Sequence, residues 1–433
     1  MGKQNSIDYN RSINLNVRGL KTSATLAINE RSKQLRDEGK EVFFLGLGQS
    51  PFPVPEIVTE ALRRNAHQKD YLPVRGLTGL REAVAEFNYR TQKVGTRPED
   101  VLIGPGSKEL IFILQLVYYG DLIIPTPSWV SYAPQARIIG RQVHWVPTRE
   151  NNFWRLSAEE LEEICREDPT RPRILILNYP SNPTGYTYPL ERLKLLADVA
   201  RKYNVILVSD EIYGQLHHQG QHVSIARFYP EGTIISNGLS KWCGAGGWRL
   251  GTFSFPPDLR WLLDAMAVVA SETFTSTSAP IQHAAISGFQ HHPEIDEYLR
   301  RNRWVLKTIA KNLQSRLKEM GIELPLPHGG FYMFPNFELY REKLEARGIT
   351  GSVSLCERIL NDTGVAMLPG DDFGRKPEEY TVRLAYVDFN GAAALQNAPG
   401  KDENIESNGA WVRTNAPRMI TAFGRLGEWL AAL

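Results

Sequence analysis

Cysteine is scarce: three in 433 residues, Cys165, Cys243 and Cys356, far apart and odd in number. That argues against a disulfide framework or a cysteine-based zinc site, and it suits a reducing compartment. The protein is expected in the cytoplasm. Charge of one sign is missing too. Fifty basic side chains stand against 48 acidic ones, leaving +2, so no overall field draws nucleic acid or an anionic membrane. No apolar run approaches the roughly 20 residues a membrane helix needs. Met1 to Asn16 are polar, without the apolar stretch of a secretory signal. Met1-Gly2-Lys3-Gln4-Asn5-Ser6 fits the loose N-myristoylation pattern, but one acyl chain anchors only marginally and nothing else points to a membrane. Nucleotide fingerprints fail as well. Gly104-Pro-Gly-Ser-Lys108 is not a P-loop, and Gly244-Ala-Gly-Gly-Trp-Arg249 breaks Gly-x-Gly-x-x-Gly at its last position.

What is present is ordinary globular composition, 42% apolar and 23% charged, long enough for two domains and a large core. An aperiodic arm to about Arg18 is expected to lie across something. The apolar spacing predicts helices over 22–38, 56–66 and 77–91. Val42 to Leu47 is a short apolar run closed by a turn at Gly48. From about residue 100, strand-like runs at 101–103, 122–124, 142–146, 173–177, 205–209, 233–236 and 252–255 alternate with helical ones, notably from Ser107 and over 190–203. Such alternation predicts an α/β fold, with a mostly parallel sheet covered on both faces and ligands at its carboxyl edge. A basic helix over 294–320 reads as a solvated face joining two domains. A polar stretch over about 390–417 reads as a surface insertion, and a helix over 419–433 closes the chain.

The chemistry centres on Ser236-Asn-Gly-Leu-Ser-Lys-Trp-Cys-Gly-Ala-Gly-Gly-Trp-Arg-Leu-Gly251. Lys241 stands among small residues, where burial lowers an amine's pKa and frees it to condense with a carbonyl. The aldehyde cofactor that needs such a lysine is pyridoxal phosphate, whose phosphate needs a fixed cation such as Arg249. Gly104-Pro-Gly-Ser-Lys108 follows a strand and opens a helix, a natural phosphate cradle. Val205-Ile-Leu-Val-Ser-Asp-Glu-Ile-Tyr213 delivers Asp210 at a strand end, where a buried carboxylate needs a cationic partner such as a protonated pyridine nitrogen. Glu211 beside it is assigned to structure. Asn178-Tyr-Pro-Ser-Asn-Pro-Thr-Gly185 puts Asn182 in a turn after another strand. Arg383, inside the apolar run Thr381-Val-Arg-Leu-Ala385, must have its charge paired. His217, His218 and His222 lack a nearby acid to complete a metal set, and a solvated loop explains them.

Taken together, Ser-Lys, the glycines and Gly-Trp-Arg-Leu-Gly, with Asn-Pro-Thr-Gly and Ser-Asp-Glu-Ile-Tyr before them, resemble the class I/II aminotransferases of pyridoxal phosphate fold type I. Ser23-Ala-Thr and Asn237-Gly-Leu-Ser-Lys are most similar to the bacterial-type aspartate and aromatic enzymes. The resemblance implies a large domain over 46–295 with a seven-stranded, mainly parallel sheet. It implies a smaller α+β domain from both chain ends, 1–45 and 296–433. It also implies amino-group transfer between an L-amino acid and a 2-oxo acid by a ping-pong mechanism. Lys241, Asp210 and Tyr213 are then the catalytic set. Gly106, Ser107, Lys108, Trp129, Asn182 and Arg249 join them around the cofactor. Tyr71, in Asp70-Tyr-Leu-Pro-Val-Arg-Gly-Leu-Thr-Gly-Leu-Arg81, reaches a neighbour's phosphate across a homodimer with shared sites. Arg383, Gly48 and Asn182 hold the substrate, Arg383 as a fork on its α-carboxylate. Arg18 and Lys108 are candidates to read a second, side-chain carboxylate. Gly238 stands where many relatives carry a phosphate-binding serine, so a backbone amide is expected to replace it. Another reaction of the same fold, such as β-elimination, and a non-catalytic regulator are the alternatives; the intact residue set argues against the latter.

Overall fold

Short aliphatic runs of the middle sequence close into one seven-stranded sheet in the computed structural model, which describes residues 12–20, 22, 24–400 and 409–433. Met1–Ser6, Ser23 and residues 401–408 of the polar stretch lie outside these. The strands are β1 (Val101–Gly104), β2 (Asp121–Thr126), β3 (Val143–Pro147), β4 (Arg173–Asn178), β5 (Ile206–Asp210), β6 (Thr233–Gly238) and β7 (Gly251–Ser254). Their spatial order is β1-β7-β6-β5-β4-β2-β3. β7 runs antiparallel to both its neighbours, and the other pairs are parallel. Each expected strand forms, shifted by a residue or two at its ends.

The sheet is apolar on both faces because helices cover both. Leu122 and Ile124, Ile174 and Ile176, Ile206 and Val208 pack with residues of helices Ser107–Val117 and Arg260–Thr273. The alternate residues Ile123, Leu175, Leu177 and Leu207 pack with helices Ala158–Glu167 and Leu190–Lys202. The period of two thus assigns each side chain to one of two cores.

Both ends of the chain build the remainder. Phe43–Phe44 pairs in parallel with Val365–Ala366. Tyr332–Met333, Leu368–Pro369 and Val382–Ala385 form a three-stranded sheet with the last strand central. Helix Pro293–Glu319 buries Leu299, Val305, Leu306, Ile309, Leu313 and Leu317 on one side. Its expected solvated basic face holds only in part: Arg300 and Arg301 pair with Glu297, and Arg303 donates to the Gln215 carbonyl at 2.7 Å. In the arm, the Arg18 carbonyl accepts from Arg137, so the segment lies on the helix Tyr132–Ile138. Among the described residues, no helix is long and apolar enough to cross a membrane.

Two expectations fail. The three histidines are not solvated: His217, His218 and His222 are all buried. His218 lies between the carbonyls of Pro327 and Gly330 at 3.0 and 3.1 Å, and His217 Nδ1 accepts from the amides of Gln219 and Gln221. Burial pushes His217 down to about 3 and His218 to about 4; a neutral His218 ring carries one N–H and donates to one of the two carbonyls, and both rings act as hydrogen-bonding struts. Nor does His222 lack an acid, since Glu211 Oε2 meets it at 2.9 Å. Among the described residues, no group of three or more His, Cys, Asp or Glu could hold a metal ion.

The polar stretch over 390–417 is not a mere surface insertion. Helices Gly391–Gln396 and Gly409–Asn415 lie within it, and Ala394, Trp411 and Val412 are buried. Trp411 meets Trp304 edge-on, centroids 4.9 Å apart, and donates Nε1 to the Asn397 carbonyl. A few apolar residues spaced along a polar stretch suffice to dock it. Trp411→Ala is expected to lower the unfolding free energy by about 3–5 kcal/mol in chemical denaturation. A loss under about 0.5 kcal/mol, usual for surface positions, would return the stretch to the surface.

Candidate active site

The carboxyl ends of the parallel strands, where each chain turns out of the sheet, open on a cleft of about 590 Å³. Past β1 come Ser107 and Lys108 and past β2 Trp129, while Asn178 ends β4 and Asn182 follows it. Asp210 ends β5, and Tyr213 and Lys241 follow β5 and β6. Arg249 arrives from the opposite sense, just before the antiparallel β7. Gly48, Tyr332 and Arg383 close the side built by the chain ends. One edge of one sheet therefore gathers residues that span most of the chain.

Three cations converge here. Lys241 donates Nζ to the Gly48 carbonyl at 2.7 Å. Burial, then the Arg383 and Arg249 charges, push its amine down to about 8, against the opposing pull of Asp210. Arg249 donates to the carbonyls of Gly246 and Pro105, at 3.0 and 3.3 Å. Lys108 holds Nζ 5.3 Å over the Trp129 ring, and desolvation with the Arg249 charge also pushes it down. Among the described residues, their only oxygen contacts are neutral carbonyls. Between them lies the turn at Gly106, whose φ of +96° favours glycine, and a Cβ there would stand 2.3 Å from Arg249 Nη2. Ser107 is the first residue of the helix that follows, so Gly106, not Ser107, caps it. A helix N-terminus, a hydroxyl and clustered cations without an acid are the donor set that a phosphate requires.

Arg383 is 1% exposed and lies under the Tyr332 ring, 4.9 Å from its centroid. It donates to Asn182 Oδ1 at 3.3 Å and to the Gly46 carbonyl, and its Nε is buried with no acceptor. An unpaired buried guanidinium donor beside an open cleft fits a carboxylate ligand. Asp210 is buried, and desolvation pushes it up to about 6 despite hydrogen bonds from Tyr132, Ile212 and Ser236. A ring cation such as a pyridinium supplies the charge that this site lacks. The residues present thus fit pyridoxal phosphate at three points: phosphate, ring nitrogen and reactive amine.

Of the residues expected at the site, Lys241, Asp210, Tyr213, Ser107, Lys108, Trp129, Asn182, Arg249, Arg383 and Gly48 line the cleft, with Gly106 in the turn beneath. Tyr71 does not; it is 89% exposed. Arg18 is not among the lining residues and donates to the Ile13 carbonyl. The Gly238 amide cannot stand in for a serine hydroxyl, because it donates to Asn237 Oδ1 at 2.8 Å. No side chain fits there either: a Cβ would sit 2.6 Å from the Leu250 carbonyl. Ser240 and the turn at Gly246 and Gly247 line the cleft instead.

Sequence reasoning missed three polar residues. Tyr332 shares a 2.7 Å hydrogen bond with the Tyr213 hydroxyl. Asn178 ties Asn182 to β5, accepting its amide at 2.7 Å and donating to the Asp210 carbonyl at 2.9 Å. Tyr132 donates to Asp210 Oδ2 at 2.5 Å. Asn178 stands within a motif already singled out, Tyr132 lies three residues after Trp129, and the Gly-Gly-Phe-Tyr turn at 329–332 was the one signal for Tyr332.

Comparison with known proteins agrees with this geometry. The model of the family "Aminotransferase class I and II" matches residues 40–389. An aspartate aminotransferase of Geobacillus stearothermophilus is 34% identical over 381 residues, covering 86% of this chain and 93% of that one. An aspartate/prephenate aminotransferase of Thermus thermophilus is 33% identical, covering 87% and 94%. The solved aspartate aminotransferase from Thermus thermophilus with maleate superposes with a TM-score of 0.82 at 29% identity, covering 96% of this chain and 99% of that one. With the family model spanning most of the chain and residues that fit pyridoxal phosphate gathered in the cleft, the chain belongs to the class I and II aminotransferases and is a pyridoxal phosphate-dependent transaminase.

Proposed function

We propose that the cleft takes dicarboxylic substrates, an L-amino acid with a second carboxylate as donor and a 2-oxo acid of the same kind as acceptor. The observation that carries this is a second cation, Lys108, in the same cleft as Arg383. Arg383 takes the α-carboxylate with its buried fork, and Lys108 takes the distal one. The names of the relatives compared above support the reading, as does the maleate, itself a four-carbon dicarboxylate, of the Thermus thermophilus structure.

When bound, pyridoxal phosphate supplies an aldehyde with which amines condense and a ring that takes up the electrons left by a departing α-proton. This chain's residues do the rest. Ser107, the Gly106 turn and Arg249 hold the phosphate, and the Trp129 ring covers one side of the cleft. Asp210 holds a positive charge at the ring nitrogen. Asn182 and Tyr213 donate to the phenolic oxygen, and Tyr332 orients the Tyr213 hydroxyl. Lys241 Nζ, as a free amine, would take the α-proton and pass it on.

The division into units at 46–295 and 296–433 with the first 45 residues is part of the same reading, supported by the pairing of Phe43–Phe44 with Val365–Ala366. Three free, buried cysteines support a cytoplasmic setting. Tyr71, almost fully exposed on its own chain, supports a homodimer in which it serves the neighbouring cleft.

Four measurements test this. A lysine lowered to about 8 is mostly protonated below that pH and mostly a free amine above it. Covalent capture of pyridoxal phosphate by the cofactor-free protein should therefore quicken about tenfold per pH unit up to about 8, then level off. Lys241→Ala should lose borohydride-trapped cofactor; a rate flat from pH 6 to 9, or trapping at another lysine, refutes the assignment. Lys108→Met should cut kcat/KM for dicarboxylic donors about ten- to a hundredfold while sparing monocarboxylic ones. An equal loss for both classes would assign Lys108 to the phosphate instead. Finally, Tyr71→Ala should loosen the cofactor about ten- to a hundredfold. In hybrid dimers with Lys241→Ala, one site regains both residues and should hold it tightly again. Hybrids no better than the Tyr71→Ala parent would remove the shared site.

A further inference from the structure

Tyr132 belongs to the motif Pro127-Ser-Trp-Val-Ser-Tyr132, of which only Trp129 has so far been given a task. The structure treats the two oxygens of Asp210 differently. Oδ2 accepts the Tyr132 hydroxyl at 2.5 Å. Oδ1 has only long contacts, Ser236 Oγ and the Ile212 amide, both at 3.4 Å. Tyr132 is 1% exposed, opens the helix Tyr132–Ile138, and meets the Trp129 ring edge-on with centroids 5.1 Å apart. The titratable groups around Asp210 are few: Tyr132 from that helix, Glu211 and Tyr213 from the turn after β5, and Lys241 from the turn after β6. Burial drives the carboxyl toward its neutral form, and the Tyr132 hydrogen bond is the largest influence in the other direction. The phenol itself stays protonated, since burial and the Asp210 charge push it well above its usual range. It is a permanent donor.

We propose that Tyr132 is a positioning residue for the cofactor: its hydroxyl pins Asp210 Oδ2, keeps the carboxyl ionised, and leaves Oδ1 turned to the cleft for the ring nitrogen. The same side chain braces Trp129, so one tyrosine sets both the acid and the aromatic plate against which the ring lies. A neutral Asp210 would instead offer an O–H where the ring needs an acceptor. This rests on the reading of Asp210 as the partner of the ring nitrogen.

The test is a double-mutant cycle on the full-length holoenzyme, read as the dissociation constant of pyridoxal phosphate and the pH dependence of its visible absorption. Tyr132→Phe keeps the ring and its contact with Trp129, and thermal melting checks that the fold is kept. Loss of the hydroxyl should raise the dissociation constant about ten- to a hundredfold and move the absorption titration. In an Asp210→Asn background the same change should alter binding by less than about twofold, because no carboxylate remains to be held. A purely packing role would give equal losses in both backgrounds, and that outcome overturns the proposal. So does a Tyr132→Phe enzyme with unchanged binding and titration. If Asp210→Asn alone binds the cofactor as tightly as the unaltered protein, the role of Asp210 falls, and that of Tyr132 with it. If Asp210→Asn weakens binding and Tyr132→Phe does not, only the positioning role is lost.

Discussion

Four cations held together against a single acid, among the described residues, are the constraint on which the cleft depends. Lys108, Lys241, Arg249 and Arg383 meet in one partly enclosed space, where Lys241, Arg249 and Arg383 donate to neutral carbonyls and Lys108 lies over the Trp129 ring. Such a set repels itself and is costly to desolvate. It persists because the scaffold fixes each member separately: Lys108 follows β1, Lys241 follows β6, Arg249 precedes β7 and the strand Val382–Ala385 carries Arg383. The strain shows as amines pushed toward neutrality, Lys241 most of all, and a neutral amine is the form that can attack a carbonyl. The same repulsion thus binds anions and activates the nucleophile.

Asp210 is the counterweight. Among the described residues it is the one acid lining the cleft, and burial pushes its carboxyl up to about 6 against the hydrogen bond from Tyr132. Behind it the neighbouring acid, Glu211, takes a different path. Its carboxylate meets His222 and the Ser209 hydroxyl inside the core and does not reach the cleft. Two adjacent carboxylates therefore part ways where the chain leaves β5 at Asp210 and turns. The buried histidines next to them tie that turn to the segment 327–330, which leads into Tyr332. The small sheet and the large one are joined at the hydrogen bond between Tyr213 and Tyr332.

The sequence by itself determined the sheet, the order of its chemistry and most of the cleft. Continuous aliphatic runs such as Ile174–Leu177 can only be buried on both faces, and helical spacing between them leaves a parallel sheet as the solution. Once that is so, residues just past the runs must share an edge, and Lys241, Asp210, Asn182 and Ser107 are placed by arithmetic. Tertiary structure alone decided what depends on approach between segments far apart. His217 and Trp411 read as polar-loop residues, since neither periodicity nor composition marks a segment that will be covered by another. Tyr132 and Tyr332 look like any core aromatic until their hydroxyls are seen on Asp210 and Tyr213. Gly238 gave no sign that the Leu250 carbonyl stands where its side chain would be. Periodicity is a property of one segment, whereas hydrogen bonding and excluded volume are properties of pairs, and the chain does not write its pairs in order.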